Sequence, residues 1–470
     1  MNMFLKAASV ALLCGLAWSA FSCPAKAAPV PVAGVIEGFY GTPWTEDERL
    51  DMIAFCGAHG LNAYVYAPKD DPYHRDRWRE PYPKAQLDDL AKLIHAAQVN
   101  NVRFVFAVSP GLSLQLDGEA SKKDRAAMFA KLESLYALGV RDFAIFFDDI
   151  ENKDGAGQAA FLNAISKELR HRHKDIGALL TVPTEYDRSV MTDADGMATA
   201  YTVAFAQALT KDITVLYTGE GVAKGGLTQA QLDAANAIYG RKLGFWWNYP
   251  VNDYDETKLA LGPMDTLPLD GVPVVLYNPM KYERLSKIAL ATGADLVRDP
   301  AHYDAEASWH RAIREQYGDL APAMQTFADH STHLENSWAD IGRADAPQLR
   351  QEMDALWAAI EQDAPEPVIF GRLHELDWEL AKTEEAVRAL EQQLDPATRA
   401  ECQPQLAQLA RIVEADRLGV ELLRHRMAGE TPDLAPIEAA RQDIVRHETE
   451  AHISDQVARA FLDELMNRLQ

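Results

Sequence analysis

The chain has 470 residues and a formal net charge of −24, from 46 lysines and arginines against 70 aspartates and glutamates. Such an acidic surface repels phosphate backbones and anionic membranes, so nucleic acid is not expected as a partner. The chain is too long to fold around one ordinary hydrophobic core, so two or three domains are expected.

Residues 1–27 have the layout of a secretory signal peptide. Lys6 precedes an apolar run at 7–21, and Ala25-Lys26-Ala27 offers a small-x-small cleavage site. The run is too short for a comfortable bilayer span, which disfavours the alternative of an uncleaved anchor. A periplasmic or secreted protein without stable membrane insertion is predicted. Lipidation at Cys23 is not expected, because the residues before it make a poor lipobox.

Eight short runs, apolar almost throughout, come after the signal peptide and are typical of strands buried on both faces. They span 32–38, 63–67, 103–109, 142–148, 178–183, 213–218, 243–247 and 272–277. Their starts lie about 28 to 40 residues apart, enough for one crossover helix each. Thr45-x-x-Glu48, a capping box, marks the first helix. We predict an α/β fold, a (β/α)8 TIM barrel over residues 30–300. A doubly wound open sheet is the alternative, but no glycine-rich phosphate loop comes after the first strand.

From residue 301 to 470 the composition changes to long stretches rich in Ala, Leu, Glu, Gln and Arg. Apolar residues recur there at spacings of three and four, as in Leu373, Leu376, Trp378, Leu380 and Ala381. This pattern predicts an all-α helical bundle domain, through which a homodimer is possible.

The number and spacing of the cysteines and histidines argue against a disulfide bond and against a metal-binding site. Cys56 and Cys402 lie far apart in different predicted domains, so no disulfide between them is expected. No Cys/His ligand spacing is present, and neither a metal nor another cofactor is expected.

Polar residues come directly after the predicted strands, where TIM barrels place their chemistry. They are Glu37, Gly38, Lys69, Asp70, Asp71, Ser109, Asp148, Asp149, Glu185, Tyr186, Thr218, Gly219, Asn248, Asp253 and Asn278. A ring contributed by all eight strands favours a pocket for a neutral polyhydroxylated ligand, with Trp246, Trp247 and Tyr186 available to cover the apolar face of a sugar.

Within this ring, Asp148 and Asp149 are the leading catalytic candidates. Two adjacent carboxylates after buried Phe146 and Phe147 are expected to have one raised pKa, as a glycosidase needs for a proton donor. Both can enter one site only where the strand ends, because strand neighbours point to opposite faces. A loop pair or a helix cap is the alternative, and no nearby histidine favours a metal site.

Other candidates are more ambiguous. Asp70 and Asp71 fit a solvated loop equally well, and His74 fits a loop residue better than a catalytic base. One of Trp246 and Trp247 is expected in the core, since strand alternation sends them to opposite sides.

Several motifs, in order along residues 33–290, resemble those of glycoside hydrolase family 84, the O-GlcNAcase and bacterial hexosaminidase family. They are GVIEGFYGTPW at 34–44, YAPKDD at 66–71, SPGL at 109–112, FDDI at 147–150, PTEY at 183–186, WWN at 246–248, NDY at 252–254 and YNP at 277–279.

The resemblance implies a retaining exo-β-N-acetylglucosaminidase that cleaves terminal N-acetylglucosamine from glycoproteins or glycans. Asp148 is implied to hold the acetamido N–H of the substrate, whose carbonyl oxygen then attacks the anomeric carbon and forms an oxazoline. Asp149 is implied to be the general acid and base.

The resemblance also implies substrate-binding residues. Gly38, Lys69, Asp253 and Asn278 match positions that hold sugar hydroxyls; Asn248 and Tyr186 match groups near the acetamide and the reacting centre; Trp246 and Val182 match the pocket wall. Val182 stands where the animal enzymes carry cysteine, so the acetamide pocket is expected to differ in size.

Three other functions stay open at this point. The same family includes hyaluronidase-type endo-β-N-acetylglucosaminidases, which release oligosaccharides. A non-catalytic sugar-binding protein and a metal-dependent hydrolase on the same barrel are the others, the last without evident ligands in the sequence.

Overall fold

The computed structural model describes residues 29–469, and the predicted signal peptide lies outside these residues. Eight parallel strands form a closed barrel in chain order, with the eighth paired to the first. The strands are β1 (Val32–Glu37), β2 (Ala63–Tyr66), β3 (Arg103–Val108), β4 (Asp142–Phe146), β5 (Leu180–Val182), β6 (Thr214–Tyr217), β7 (Gly244–Trp247) and β8 (Val274–Tyr277). The predicted (β/α)8 architecture is confirmed.

Both faces of each strand are buried, as the apolar runs predicted. In β4, Ala144 and Phe146 point into the barrel, whereas Phe143 and Ile145 pack beneath the surrounding helices. This alternation gives the barrel a filled interior and an outer layer of core.

Helices connect most of the strands. They are α1 (Glu46–His59), α2 (Lys84–Val99), α3 (Gly118–Ala137), α4 (Gly155–Arg172), α5 (Arg188–Met191), α6 (Ala200–Ala208) and α7 (Gln229–Tyr239), with α8 (Glu283–Arg298) after β8. The capping box at Thr45 and Glu48 is present at the start of α1.

The expectation of a helix in every crossover is wrong for the connection from β7 to β8. Residues 248–273 contain no helix. Prolines at 250, 263, 268 and 273 explain this, because proline lacks an N–H donor and disfavours helical geometry in the residue before it.

The chain beyond residue 300 is mostly helical. The helices are α9 (Ala305–Tyr317), α10 (Ala321–Asp329), α11 (Pro347–Glu361), α12 (Glu366–Gln393), α13 (Pro396–Met427), α14 (Ala435–His447) and α15 (Ala458–Leu469). A helical region was predicted here and is confirmed; the boundary at residue 300 stays a prediction.

Two details of that region depart from the simple periodic pattern. Trp378 is 60% exposed, while Leu373, Leu376 and Leu380 are buried, because a residue two positions from its neighbours lies on the other side of a helix. A short antiparallel hairpin, β9 (Leu334–Glu335) and β10 (Asp340–Ile341), interrupts the helices. Strands of two residues are too short to give a periodic sequence signal.

The helical region and the barrel share one continuous apolar core. Glu401 of α13 accepts hydrogen bonds from the backbone N–H groups of Arg284 and Leu285, in the first turn of α8.

Cys56 and Cys402 are both buried, and they are not joined by a disulfide bond. Among residues 29–469, no helix has the length and apolarity that crossing a bilayer requires.

Candidate active site

A cavity of about 470 Å³ opens at the carboxyl ends of the barrel strands. Its lining comprises Gly38, Tyr40, Lys69, Asp148, Asp149, Val182, Tyr186, Thr218, Val222, Trp246, Asn248, Asp253, Tyr254, Asn278 and Trp338. The structure therefore brings together all ten residues to which the family resemblance assigns a role in catalysis or substrate binding.

The two aspartates enter the cavity because the chain turns sharply after β4. The strand ends at Phe146, and Asp149 adopts a left-handed backbone conformation with φ of 55°. Residues other than glycine seldom adopt this conformation, although Asp and Asn tolerate it best. The turn is what lets two consecutive carboxylates line one pocket.

Asp148 lies deep in the pocket beside a cation. Its side chain is 8% exposed and is ion-paired with the buried ammonium of Lys69. Burial opposes the charge, but Lys69 outweighs that effect and holds the pKa of Asp148 below its ordinary value. The rise in pKa that was expected from two adjacent carboxylates therefore does not occur at Asp148. Its side chain is a charged carboxylate near neutral pH.

One oxygen of Asp148 is left over by this pairing. Oδ1 is buried and has no hydrogen-bond partner among the residues that the structure describes. Because an unpaired buried acceptor is costly, Oδ1 is a ready acceptor for an N–H or O–H group of a ligand.

Asp149 is held by two phenols at a more exposed position. Tyr40 donates its hydroxyl to Oδ2 at 2.7 Å, and Tyr186 donates to Oδ1 at 2.9 Å. Burial, reinforced by the Asp149 charge, raises the pKa of both tyrosines, so both stay protonated donors. The two aspartates thus have different partners and different exposure.

A chain of hydrogen bonds fixes the amides on the opposite side. Asn248 donates Nδ2–H to the carbonyl oxygen of Val222 at 2.9 Å, and its Oδ1 accepts from Trp246 Nε1–H at 2.9 Å and Asn278 Nδ2–H at 3.0 Å. Asn278 Oδ1 in turn accepts from the backbone N–H of Gly38 at 3.2 Å. Side chains this constrained are positioned before any ligand arrives.

Close packing explains the glycine at position 38. A Cβ atom there would lie 2.3 Å from the Trp246 ring. Trp246 packs edge-on against Phe146, at 5.3 Å between ring centroids, and Lys69 Nζ lies 5.4 Å from the Trp246 ring. Trp246 therefore closes the bottom of the pocket where the barrel interior begins.

Asp253 lies on the connection between β7 and β8. Its Oδ2 accepts the backbone N–H of Tyr40 at 2.7 Å. Burial raises the pKa of Asp253 above its ordinary value.

The alternation of Trp246 and Trp247 is confirmed. Trp246 belongs to the barrel interior and the pocket, whereas Trp247 is fully buried in the layer between strands and helices. Two carboxylates of the predicted ring also point away from the pocket. Glu37 takes a bidentate ion pair from Arg49, and Glu185 pairs with Lys153 at 2.9 Å.

The two aspartates after β2 differ: Asp70 is exposed, as in a solvated loop, whereas Asp71 is part of the packed structure. Asp71 accepts the hydroxyls of Tyr66 at 2.8 Å and Tyr82 at 2.7 Å. Buried His74 contacts Ser109, with 3.2 Å between Nε2 and Oγ, so neither lines the cavity. The prediction that all eight strands contribute to the pocket is therefore wrong for β3.

Four lining residues were missed in the sequence. Tyr40 and Tyr254 lie inside quoted motifs but were not singled out there, and Val222, which comes after β6, is an apolar residue without a polar signal. Tyr254 and Trp338 contact each other at 4.7 Å between ring centroids, and Trp338 is 42% exposed at the mouth.

Trp338 comes from the hairpin that sequence patterns do not reveal. Asp340 donates its N–H to Ala223 O at 2.9 Å, and Gly225 donates to Asp340 O at 2.8 Å. These bonds join the hairpin to the loop after β6. The helical region thereby supplies part of the pocket wall, a role that the sequence left undecided.

In residues 29–469, no group of three or more His, Cys, Asp or Glu side chains is arranged to hold a metal ion.

Comparison with known proteins identifies the family to which this site belongs. Residues 33–329 match the β-N-acetylglucosaminidase family model, and residues 348–462 match a hyaluronidase post-catalytic domain-like family. The Protein O-GlcNAcases of Rattus norvegicus and Mus musculus are each 32% identical over 258 residues, which is 53% of this chain. The match spans 28% of the length of these relatives.

Solved structures resemble the whole fold. The structure named CpGH84B has a TM-score of 0.86 at 37% identity, covering 94% of this chain and 77% of that one. A mutant O-GlcNAc hydrolase of Thermobaculum terrenum has a TM-score of 0.77 at 27% identity, covering 93% and 95%. The β-N-acetylglucosaminidase family model matches more than half of this chain. The chain therefore belongs to the β-N-acetylglucosaminidases of glycoside hydrolase family 84.

Proposed function

We propose that the protein is a retaining exo-β-N-acetylglucosaminidase that uses the substrate's own acetamido group as nucleophile. The observation that carries this proposal is the state of Asp148, a buried carboxylate that is kept charged by Lys69 and retains one unpaired acceptor oxygen inside the pocket.

Asp148 Oδ1 accepts the acetamido N–H of the sugar. The negative charge beside that N–H stabilises the positive charge that develops on the amide as its carbonyl oxygen attacks the anomeric carbon. The attack forms an oxazoline and breaks the glycosidic bond. Water then opens the oxazoline from the face that the leaving group left, which gives net retention.

Asp149 moves the proton in both steps. It protonates the departing glycosidic oxygen and later takes a proton from the attacking water. The hydroxyls of Tyr40 and Tyr186 hold its two oxygens in place. Its position at the more exposed side of the pocket suits a group that meets both the leaving group and incoming water.

The remaining lining fits one sugar ring. Trp246 closes the pocket at the barrel interior, and Val182 lies beside it. We assign the sugar hydroxyls to Lys69, Asp253, Asn278 and the backbone of Gly38. Asn248 and Tyr186 are assigned to the acetamide and the reacting centre. A pocket that ends on a tryptophan favours removal of a terminal N-acetylglucosamine from a glycoprotein or glycan.

The deciding experiment compares three aryl glycosides with the purified protein: the β-N-acetylglucosaminide, its galacto epimer and the unacetylated glucoside. We expect hydrolysis of the first, weaker hydrolysis of the second and none of the third. The first-formed sugar, monitored by proton NMR, should be the β-anomer. Equal hydrolysis of the plain glucoside, or an α-configured first product, contradicts the proposal.

Product analysis on polymeric substrates separates the neighbouring activities. Release of monosaccharide supports exo-action, whereas oligosaccharides from hyaluronan support the hyaluronidase-type endo-enzyme. Binding of N-acetylglucosamine without any turnover indicates a sugar-binding protein.

We further propose that the protein is exported, on the composition of residues 1–27. A dimer formed through the helical region stays a prediction that sedimentation of the purified protein can test.

A further inference from the structure

The connection between β7 and β8 begins with Asn248 and carries two further pocket residues, Asp253 and Tyr254, on a segment without a helix. Long irregular loops in compact domains are usually mobile unless their backbone groups find partners elsewhere. Catalysis needs these side chains at fixed positions, so the partners of the segment decide how well the pocket is formed.

Residues beyond 300 supply many of those partners. Leu261 donates its N–H to Ser331 O at 2.7 Å, and its own carbonyl accepts Trp309 Nε1–H at 2.7 Å. Ser331 Oγ–H donates to the carbonyl of Leu259 at 2.8 Å. The later part of the connection is thus bonded to the helical region.

The part nearest the pocket is a compact turn over residues 252–258. Asn252 Nδ2–H donates to Lys258 O at 2.5 Å, and Asp255 N–H donates to Asn252 O at 2.9 Å. These internal bonds join the two ends of the turn. Fixing one point of this turn therefore fixes Asp253 and Tyr254, which lie inside it.

The fixed point is the carbonyl of Thr257. It accepts Gln405 Nε2–H from α13 at 2.8 Å and the backbone N–H of His452 at 3.0 Å. The adjacent Lys258 pairs with Asp455 at 2.8 Å. All three partners belong to the helical region, and Gln405 is 1% exposed.

We propose that Gln405 is a positioning residue for the active site, acting through Thr257 to hold the turn that carries Asp253 and Tyr254. Asp253 then stays bonded to the Tyr40 backbone, and Tyr254 stays against Trp338. The kinetic part of this inference rests on the proposed glycosidase function. The helical region therefore positions pocket residues in addition to packing against the barrel.

Helix α13 offers a matched control three residues away. Gln408 is also 1% exposed and also donates Nε2–H to a backbone carbonyl, that of Ile444 in α14, at 3.0 Å. Gln405→Met and Gln408→Met each remove a hydrogen bond from a buried side-chain amide of the same helix to a backbone carbonyl. Gln408→Met also removes the acceptor of Arg411 Nη1–H, at 3.3 Å. Only the Gln405 bond reaches the active-site turn.

We expect Gln405→Met to raise KM for the aryl N-acetylglucosaminide roughly fivefold, the effect of losing about one hydrogen bond, with kcat within about twofold. Gln408→Met should leave KM unchanged while lowering Tm to a similar degree. Amide hydrogen exchange in peptides covering residues 252–258 should accelerate in Gln405→Met alone.

Equal KM values and equal exchange in the two variants overturn the proposal even if the wild-type enzyme is active. A wild-type protein that cleaves no N-acetylglucosaminide contradicts the proposed function, while the exchange measurement still decides whether Gln405 holds the turn. If Gln405→Met does not fold, Asp455→Asn tests the neighbouring anchor in full-length protein and should accelerate exchange over the same residues. Unchanged exchange there also overturns the proposal.

Discussion

The bottom and the mouth of the pocket are built differently. We call Lys69, Asp148, Trp246, Asn248 and Asn278 the pocket floor, and Tyr254 with Trp338 the pocket rim. Floor residues lie at the ends of barrel strands, are buried and are bonded to one another. Rim residues come from an irregular connection and a hairpin, and Trp338 is 42% exposed. On the proposed function, the floor holds the sugar of every substrate, whereas the rim meets whatever is attached to that sugar.

The largest expected effect comes from changing the charge in the floor. Asp148→Asn removes the carboxylate that, on the proposed mechanism, faces the developing charge, and it leaves Lys69 without its partner. We expect kcat/KM to fall about 10³-fold, as for loss of a major electrostatic contact to the transition state. The fall should be alike for aryl and alkyl N-acetylglucosaminides.

The matched control is Asp70→Asn, since Asp70 is exposed and next to Lys69 in sequence but does not line the cavity. Its kcat/KM should stay close to wild type. A loss in Asp148→Asn that is confined to poor leaving groups contradicts the role given to Asp148.

Asp149→Asn should separate substrates by leaving group. An alkyl or protein-linked sugar needs a proton on its departing oxygen, so kcat/KM should fall roughly 10²-fold or more. A dinitrophenyl glycoside needs no proton to depart, and its bond-breaking step should change little. The measurement is the ratio of kcat/KM values for the two classes; equal losses disagree with the acid–base role.

The same division between floor and rim governs how much of the site the sequence reveals. Floor residues were predictable because parallel strands appear as apolar runs, and the residues directly after each run must lie at one end of the barrel. Gly38 and the two aspartates are also inside motifs that resemble a known family. The charge state of Asp148 was not predictable, because it depends on Lys69, 79 residues away in the chain.

The rim was hidden for a physical reason. Trp338 is held by backbone bonds between a two-residue strand and residues 223–225, and such pairings leave no periodic pattern. The missing helix between β7 and β8 was predictable from its four prolines. The partners that replace that helix, such as Gln405, lie in a helical region whose sequence shows only its own periodicity.

The Lys69–Asp148 pair should also set the acid side of the pH profile. Lys69 lowers the pKa of Asp148, so we expect the wild-type carboxylate to stay charged at lower pH than an ordinary aspartate does. Lys69→Met removes that stabilisation while burial remains, so the Asp148 pKa rises. The acid limb of kcat/KM should move upward by roughly one pH unit or more.

Lys153→Met is the control for this shift. Lys153 pairs with Glu185 at 2.9 Å, and neither residue lines the cavity. Its acid limb should coincide with that of the wild type. An acid limb that is unmoved in Lys69→Met argues that another group limits activity at low pH.

The smallest expected effect tests the rim alone. Trp338→Ala removes an aromatic face from the mouth without touching any bond of the floor, so the chemical step should persist. A stacking contact contributes about 0.5–1.5 kcal/mol, and kcat/KM for an aryl or glycopeptide substrate should fall about fivefold. The methyl glycoside, which has nothing to place against Trp338, should be cleaved as by the wild type.

Trp378→Ala is the control. It removes an even more exposed tryptophan, at 60% exposure on α12 and outside the cavity, and should change kcat/KM for neither substrate. A Trp338→Ala loss that is equal for methyl and aryl substrates places this residue with the floor and ends the distinction between the two.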